Sequence, residues 1–226
     1  MEDNSFHVTR RIVLAIAPLL LLLLIIACSS VRAQTPTLGV FSYSWFGPNE
    51  QGWLPGTHFQ PVLGHYDSRD NAVIQQHTDW LRTAGVVFEV ESWWGRGTVT
   101  DTAIKHILTR DVVKQTIYYE HEGYGNPPLL IVLNDLVYID RTFAGDPDFY
   151  RIDGRPVLFV YGGAESCEMT QRWVRARDAW ATRGANFYLV LKVFPGYASC
   201  AYQPDAFHQY GPAVNRHDFP QARTIS

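Results

Sequence analysis

Short apolar runs with strand character alternate along this chain with longer stretches of helical spacing. "LGVFSY", Leu38 to Tyr43, is rich in β-branched and aromatic residues and reads as a first strand. From Asn71 to Gly85 the period changes. Val73, His77, Trp80 and Ala84 recur at helical spacing with Ile74 and Leu81 beside them. Asp70 suits the N-cap and Gly85 the stop. Val86 to Ser92 reads as a second strand, Asp101 to Lys114 as a helix, and Thr116 to Glu120 as a third strand. A helix over Leu129 to Phe143 and a fourth strand within Arg155 to Gly163 follow. Met169, Trp173, Ala176 and Trp180 then mark the clearest helix, closed by Gly184. A fifth strand covers Asn186 to Phe194, and a short sixth covers Asp205 to Tyr210.

Strands alternating with helices predict an α/β fold with a parallel sheet and βα connections. Several of the strands end in charged or aromatic residues before a loop. That pattern suits a TIM-type barrel, whose site is built on the C-terminal ends of its strands. No G-x-G-x-x-G follows the first strand and no G-x-S-x-G occurs, so a dinucleotide fold and a nucleophile elbow are not expected. After residue 33 roughly 190 residues remain, whereas eight βα units take about 250. Residues 38–226 therefore read as an incomplete (β/α) barrel that stops after five to six units.

Residues 1–33 read differently. Arg10 and Arg11 precede an apolar block, Ile12 to Ala27, with small residues behind it, which is the layout of an export signal. Cys28 stands where a bacterial lipoprotein signal carries its lipidated cysteine, and "VRAQ" offers ordinary cleavage after Ala33. The expectation is an exported protein, lipid-anchored to a bacterial membrane or secreted. Membrane contact is expected only through that anchor or signal. Cys167 and Cys200 remain for the mature part. In an oxidising compartment they can form a disulfide, or they stand as two free thiols.

Composition narrows the partner. Hydrophobic residues make up 46% and the formal charge is −3, so the chain is globular and lacks the basic excess that a nucleic acid would need. The chemistry-bearing stretches are three. In "ESWWGRG", Glu91 to Gly97, Trp93 and Trp94 are neighbours at a strand end, so their rings leave on opposite faces. One ring suits the core and the other the flat face of a sugar. In "GHYDSRD", Gly64 to Asp70, Tyr66, Asp67, Arg69 and Asp70 crowd one loop, either as a surface turn or as groups that bind hydroxyls. In "YYEHEGYG", Glu120 ends the third strand, where a carboxylate faces a barrel mouth. Glycoside hydrolysis needs two carboxylates, one giving a proton to the leaving oxygen and the other acting across the bond. Asp67, Glu91 and Glu120 are the candidates near one rim. His121 between Glu120 and Glu122 has no matching ligand spacing elsewhere, so no metal and no cofactor is expected.

Taken in order, "FSYSWFG", "GHYDSRDNAVIQQHTDWLRTAGV", "VESWWGRG", "IYYE", "DGRPVLFVYG" and "DAFHQYGP" resemble the endo-α-mannosidase family, glycoside hydrolase family 99, from about Leu38 to Pro212. The resemblance implies a (β/α)8 barrel that cleaves α-mannosides or related glycans within a chain, with retention. It implies that Tyr66, Asp67, Arg69 and Asp70 belong to the first active-site loop. It further implies that Trp93 or Trp94 walls a sugar subsite, and that Glu120 and Tyr210 face an oligo- or polysaccharide. The family's late N-E-W-H-E motif, which carries its catalytic glutamates, does not occur in these 226 residues. Endo-acting hydrolysis is the first expectation. A carbohydrate-binding remnant or inactive fragment is the alternative.

Overall fold

The computed structural model describes residues 37–49, 51–53, 59–110, 112–120, 127–161 and 165–211. The apolar N-terminal block and Cys28 lie outside them, as do His121, Glu122 and residues 212–226. The elements are β1 (Gly39–Ser42), α1 (Asn71–Thr83), β2 (Phe88–Trp93), α2 (Val99–Ile107), β3 (Lys114–Tyr119), α3 (Leu129–Ile139), β4 (Arg151–Ile152), β5 (Arg155–Val160), α4 (Cys167–Ala181), β6 (Tyr188–Lys192) and β7 (Ala206–His208).

Six strands run parallel in the order β1-β2-β3-β5-β6-β7. The sheet is strongly curled. Laid flat at the usual strand spacing, β1 and β7 would stand roughly 24 Å apart. Instead the ring of Phe41 on β1 lies 5.8 Å from that of His208 on β7, 4.7 Å from Tyr118 on β3 and 6.1 Å from Phe159 on β5. These rings meet on the concave side. The fold is thus the partial (β/α) TIM-type barrel that the alternation predicts.

The opposite, convex face carries the main core. Trp93, Ile117, Tyr119, Leu158, Val160, Leu189 and Leu191 alternate outward from their strands. They pack with Ile104 of α2, Val132, Leu136 and Ile139 of α3, and Trp173 and Ala176 of α4, all buried. Three of the four helices, α1, α2 and α4, start at a capping side chain. Asp70 Oδ1 accepts from Ala72 N at 2.8 Å, Thr98 accepts from Asp101 N, and Ser166 from Met169 N.

Three features differ from the sequence expectation. Helix α2 begins earlier, at its Thr98 cap, and ends at Ile107, so Lys114 opens β3 instead of closing a helix. In α1 the buried positions are Val73, Ile74 and Thr78, while Trp80 is exposed, its ring tilted against that of His77. The pattern weighted Trp80 as core because it is large and apolar, but the sheet lies toward the Ile74 side. A two-residue strand, β4, forms an antiparallel hairpin with β5 around Asp153 and Gly154. Both turn residues have positive φ, 51° and 75°, the demand of a type I′ turn that an Asp-Gly pair meets.

Candidate active site at the C-terminal rim

Alternation along β2 sorts "ESWWGRG" into two walls. Glu91 and Trp93 leave on the convex side, Ser92 and Trp94 on the concave side. Trp93 is 0% exposed and Trp94 is 44% exposed. The buried indole N–H of Trp93 donates to Asp101 Oδ1 at 2.9 Å, and its ring lies against Tyr119 and Tyr138. Asp101 also accepts from Gly97 N, Lys105 Nζ and Tyr138 Oη, so one carboxylate ties strand, loop and helix together. Burial pushes the Asp101 carboxyl up. The hydrogen bonds from Lys105, Trp93, Gly97 and Tyr138 outweigh it and hold the group below its ordinary value.

Trp94 turns the other way. Its Nε1 donates to Ser92 Oγ at 2.8 Å, and the Ser92 hydroxyl donates in turn to Glu120 Oε2. Glu120 follows β3 and is held beside β2 by its backbone N–H on the Trp93 carbonyl, at 3.0 Å. Burial raises the Glu120 carboxyl above its ordinary value, and the bonds from Ser92 and Trp94 pull it partly back.

Around this acid stands a ring of tyrosines. Tyr43 Oη and Tyr210 Oη are 3.1 Å apart, joining the segment after β1 to that after β7. Tyr210 also packs against Tyr161, at 4.7 Å, and Tyr118, at 6.1 Å. Burial, the Tyr210 contact and the Glu120 charge all raise the Tyr43 hydroxyl, so it remains a neutral donor. At the end of β6, Lys192 Nζ lies 3.8 Å over the Tyr161 ring and pairs with Glu165 at 2.8 Å. Deeper in, His208 Nε2 meets the Val160 carbonyl at 3.0 Å, which makes this nitrogen the donor. Burial, aided by Lys192, pushes the imidazole down to about 4, so it is neutral.

The remaining sequence candidates fall elsewhere. Glu91 does not share the rim with Glu120, because one residue of strand separates its face from that of Ser92. It sits under α1, with Ser44 Oγ donating to its Oε2 at 2.8 Å. It lines a cavity of about 260 Å³ with Ser42, Glu89, Tyr66 and His77. Burial, together with Glu89, pushes Glu91 up to about 8. Asp67 takes both hydrogen bonds of the Arg69 guanidinium, at 2.8 and 2.9 Å, which lowers its carboxyl. Asp70 caps α1. Tyr66 packs edge-on to Trp53, Phe46 and His77. The structure therefore brings Trp94, Glu120 and Tyr210 to one concave rim and sets Tyr66, Asp67, Arg69 and Asp70 along the α1 side.

Ser92, Tyr43, Tyr161, Lys192 and His208 join the rim without having been singled out. Period-two counting back from Trp94 would have found Ser92. The strand ends before "YGG" and in "LVLK" would have found Tyr161 and Lys192. Cys167, at the start of α4, and Cys200, beyond β6, are joined by a disulfide with their Cα atoms 5.2 Å apart. Among the described residues no three His, Cys, Asp or Glu side chains are grouped to hold a metal ion, and no helix is long and apolar enough to cross a membrane.

Residues 47–178 match the model of glycosyl hydrolase family 99. The mouse glycoprotein endo-alpha-1,2-mannosidase is 29% identical over 166 residues, covering 55% of this chain and 36% of that protein. The Xenopus laevis protein of the same name is 30% identical over 118 residues, covering 47% of this chain and 26% of that one. The chain thus spans about a third or less of the length of these relatives. The solved family 99 endo-alpha-mannosidase of Bacteroides thetaiotaomicron superposes with a TM-score of 0.61 at 21% identity, over 78% of this chain and 60% of that one. Since the family model covers more than half of the 226 residues, the chain belongs to glycosyl hydrolase family 99.

Proposed function

We propose that this chain builds the sugar-binding wall of an endo-acting glycoside hydrolase directed at α-mannosides, and supplies one acidic group, Glu120, to that site. The observation that carries this reading is the chain of hydrogen bonds from Trp94 through Ser92 to Glu120. It sets an exposed indole plate beside a buried carboxyl at the C-terminal rim of a barrel sheet. A flat ring suits the apolar face of a pyranose. A carboxyl group held above its ordinary value donates a proton or hydrogen bond to a sugar oxygen at neutral pH more readily than a free one. The tyrosine hydroxyls supply further donors and acceptors. The endo-mannosidase names of the relatives favour α-linked mannose as the sugar.

Hydrolysis adds water across the glycosidic bond and calls on two carboxyl groups. Among the described residues Glu120 faces the concave side at this rim, and Glu165 is engaged with Lys192. That observation favours a second reading, in which these residues bind the glycan without cleaving it. Export supports either reading, because the Cys167–Cys200 bridge suits an oxidising compartment and a signal-like block precedes the barrel.

Titration of the full chain with α-linked manno-oligosaccharides and α-mannan, with product analysis alongside, separates the readings. Binding that is lost in Trp94→Ala and Glu120→Gln supports the sugar wall. Release of oligosaccharides supports hydrolysis by this chain, and binding without release supports the second reading. Absence of binding to any α-mannoside overturns both.

A further inference from the structure

Ser92 is fully buried near the C-terminal end of β2, and its hydroxyl touches both Trp94 and Glu120. The polarity of that contact is fixed by chemistry. An indole N–H can only donate, so Ser92 Oγ must accept from Trp94. Its single proton is then directed to Glu120 Oε2. The two partners come from different segments. Trp94 lies in the loop after β2 and Glu120 follows β3. Neither backbone alone fixes the distance from ring to carboxyl.

We infer that Ser92 is a positioning residue of the sugar site: its hydroxyl locks the Trp94 plate and the Glu120 carboxyl into one unit presented to the glycan. This rests on the α-mannoside reading for its ligand, but not for its internal geometry. Ser92 itself touches no sugar. It acts by holding the ring at a fixed height beside the acid and by setting how readily that acid holds its proton. A donor to the carboxylate favours the charged form, so the same bond that fixes the ring also draws the Glu120 carboxyl down against the rise that burial causes.

The Ser92→Ala variant removes both bonds at once. In wild-type protein with 13C-labelled glutamate, assigned by comparison with Glu120→Gln, the Glu120 carboxyl titrates at a definite pH without any ligand. In Ser92→Ala the midpoint is expected to move up, and in Ser92→Thr, which keeps the hydroxyl, to return. An unchanged midpoint in folded Ser92→Ala overturns the inference. Should Ser92→Ala fail to fold, Ser92→Cys serves. Its thiol is a weaker donor than the hydroxyl, and a smaller shift in the same direction is expected. No shift there counts against the inference. With α-linked manno-oligosaccharide, Ser92→Ala is expected to bind about tenfold more weakly, the loss that follows from removing a hydrogen bond to a charged group. Its effect should shrink when Trp94→Phe is already present. Additive effects overturn the idea of one locked unit. If the wild-type chain binds no α-mannoside, the functional reading fails by itself, and the ligand-free titration still decides the role of Ser92.

Discussion

The indole nitrogen of Trp93 donates to Oδ1 of Asp101 at 2.9 Å. This bond decides which tryptophan of the pair belongs to the scaffold. Asp101 is fully buried and accepts from Trp93, Gly97, Lys105 and Tyr138. Replacing it by alanine strands the Trp93 N–H in the core and releases the loop at Gly97. The expected cost for Asp101→Ala is about 3 kcal/mol of unfolding free energy, for a buried acceptor serving several donors. Asp101→Asn, which keeps one oxygen, should cost clearly less. Urea unfolding followed by far-UV circular dichroism measures both, and equal losses in the two variants would contradict the assignment.

The two tryptophans make a matched comparison. Trp93 fills the layer between sheet and helices, so Trp93→Ala should lose about 3–5 kcal/mol, the range for emptying a buried aromatic site. Trp94 stands 44% exposed and packs less, so Trp94→Ala should change stability by about 1 kcal/mol at most, typical of a surface position. Thermal melts of both variants check this. A Trp94→Ala protein as unstable as Trp93→Ala would mean that both rings belong to the core.

How much of this was legible beforehand follows from the same two residues. Period-two alternation is a property of any strand, so opposite faces for Trp93 and Trp94 follow from adjacency alone. So do the order of strands and helices and the Asp70 cap. The partners were not legible. That Asp101 turns back to Trp93, or that Tyr43 meets Tyr210, depends on how far the sheet curls, which no local pattern records. Glu91 was assigned to the rim because it is acidic and near a strand end, yet one residue of register puts it under α1. The Asp153–Gly154 hairpin was written in the sequence as an Asp-Gly pair before an apolar run, but a two-residue strand has no periodicity to announce it.

Glu91 makes the stability pH-dependent with a definite sign. Its folded-state value is pushed from 4.5 up to about 8 by burial and by Glu89. The unfolded chain therefore releases this proton at lower pH than the folded one. The stabilising effect of the protonated group is complete below pH 4.5 and is lost as pH rises toward about 8. Glu89, also raised by burial, adds in the same direction. Glu91→Gln should flatten this slope, so the variant gains on wild type between pH 5 and pH 8. Urea unfolding across that range measures it, and parallel profiles would contradict it.

The disulfide closes a segment of 33 residues between the first turn of α4 and the short helical turn at Tyr197–Ser199. Tyr197 and Cys200 pack there with Val193 and Phe194. By the chain-entropy account, a loop of this length contributes about 3–4 kcal/mol. The Cys167→Ala, Cys200→Ala double variant should unfold at correspondingly lower denaturant. Addition of reductant should destabilise wild type and leave the double variant unchanged, a comparison that isolates the bridge from loss of packing.

Asp67 tests how the first loop relates to the rim. Arg69 takes both of its oxygens, and the pair is partly exposed. Exposed pairs of this kind contribute about 0–1 kcal/mol, so Asp67→Ala should alter stability by no more than that. Its carboxyl is held low by Arg69, so any stability it gives is present above the ordinary aspartate range and lost as pH falls through the lowered value. Tyr66 beside it looks toward Trp53 and His77, not toward Glu120. Affinity for α-linked manno-oligosaccharides should therefore stay within about twofold of wild type, a difference under 0.5 kcal/mol. A loss of about tenfold or more, near 1.4 kcal/mol, would instead bring this loop onto the sugar, as the family resemblance implies. In that event the glycan would have to extend from Trp94 across the end of β1 toward Arg69.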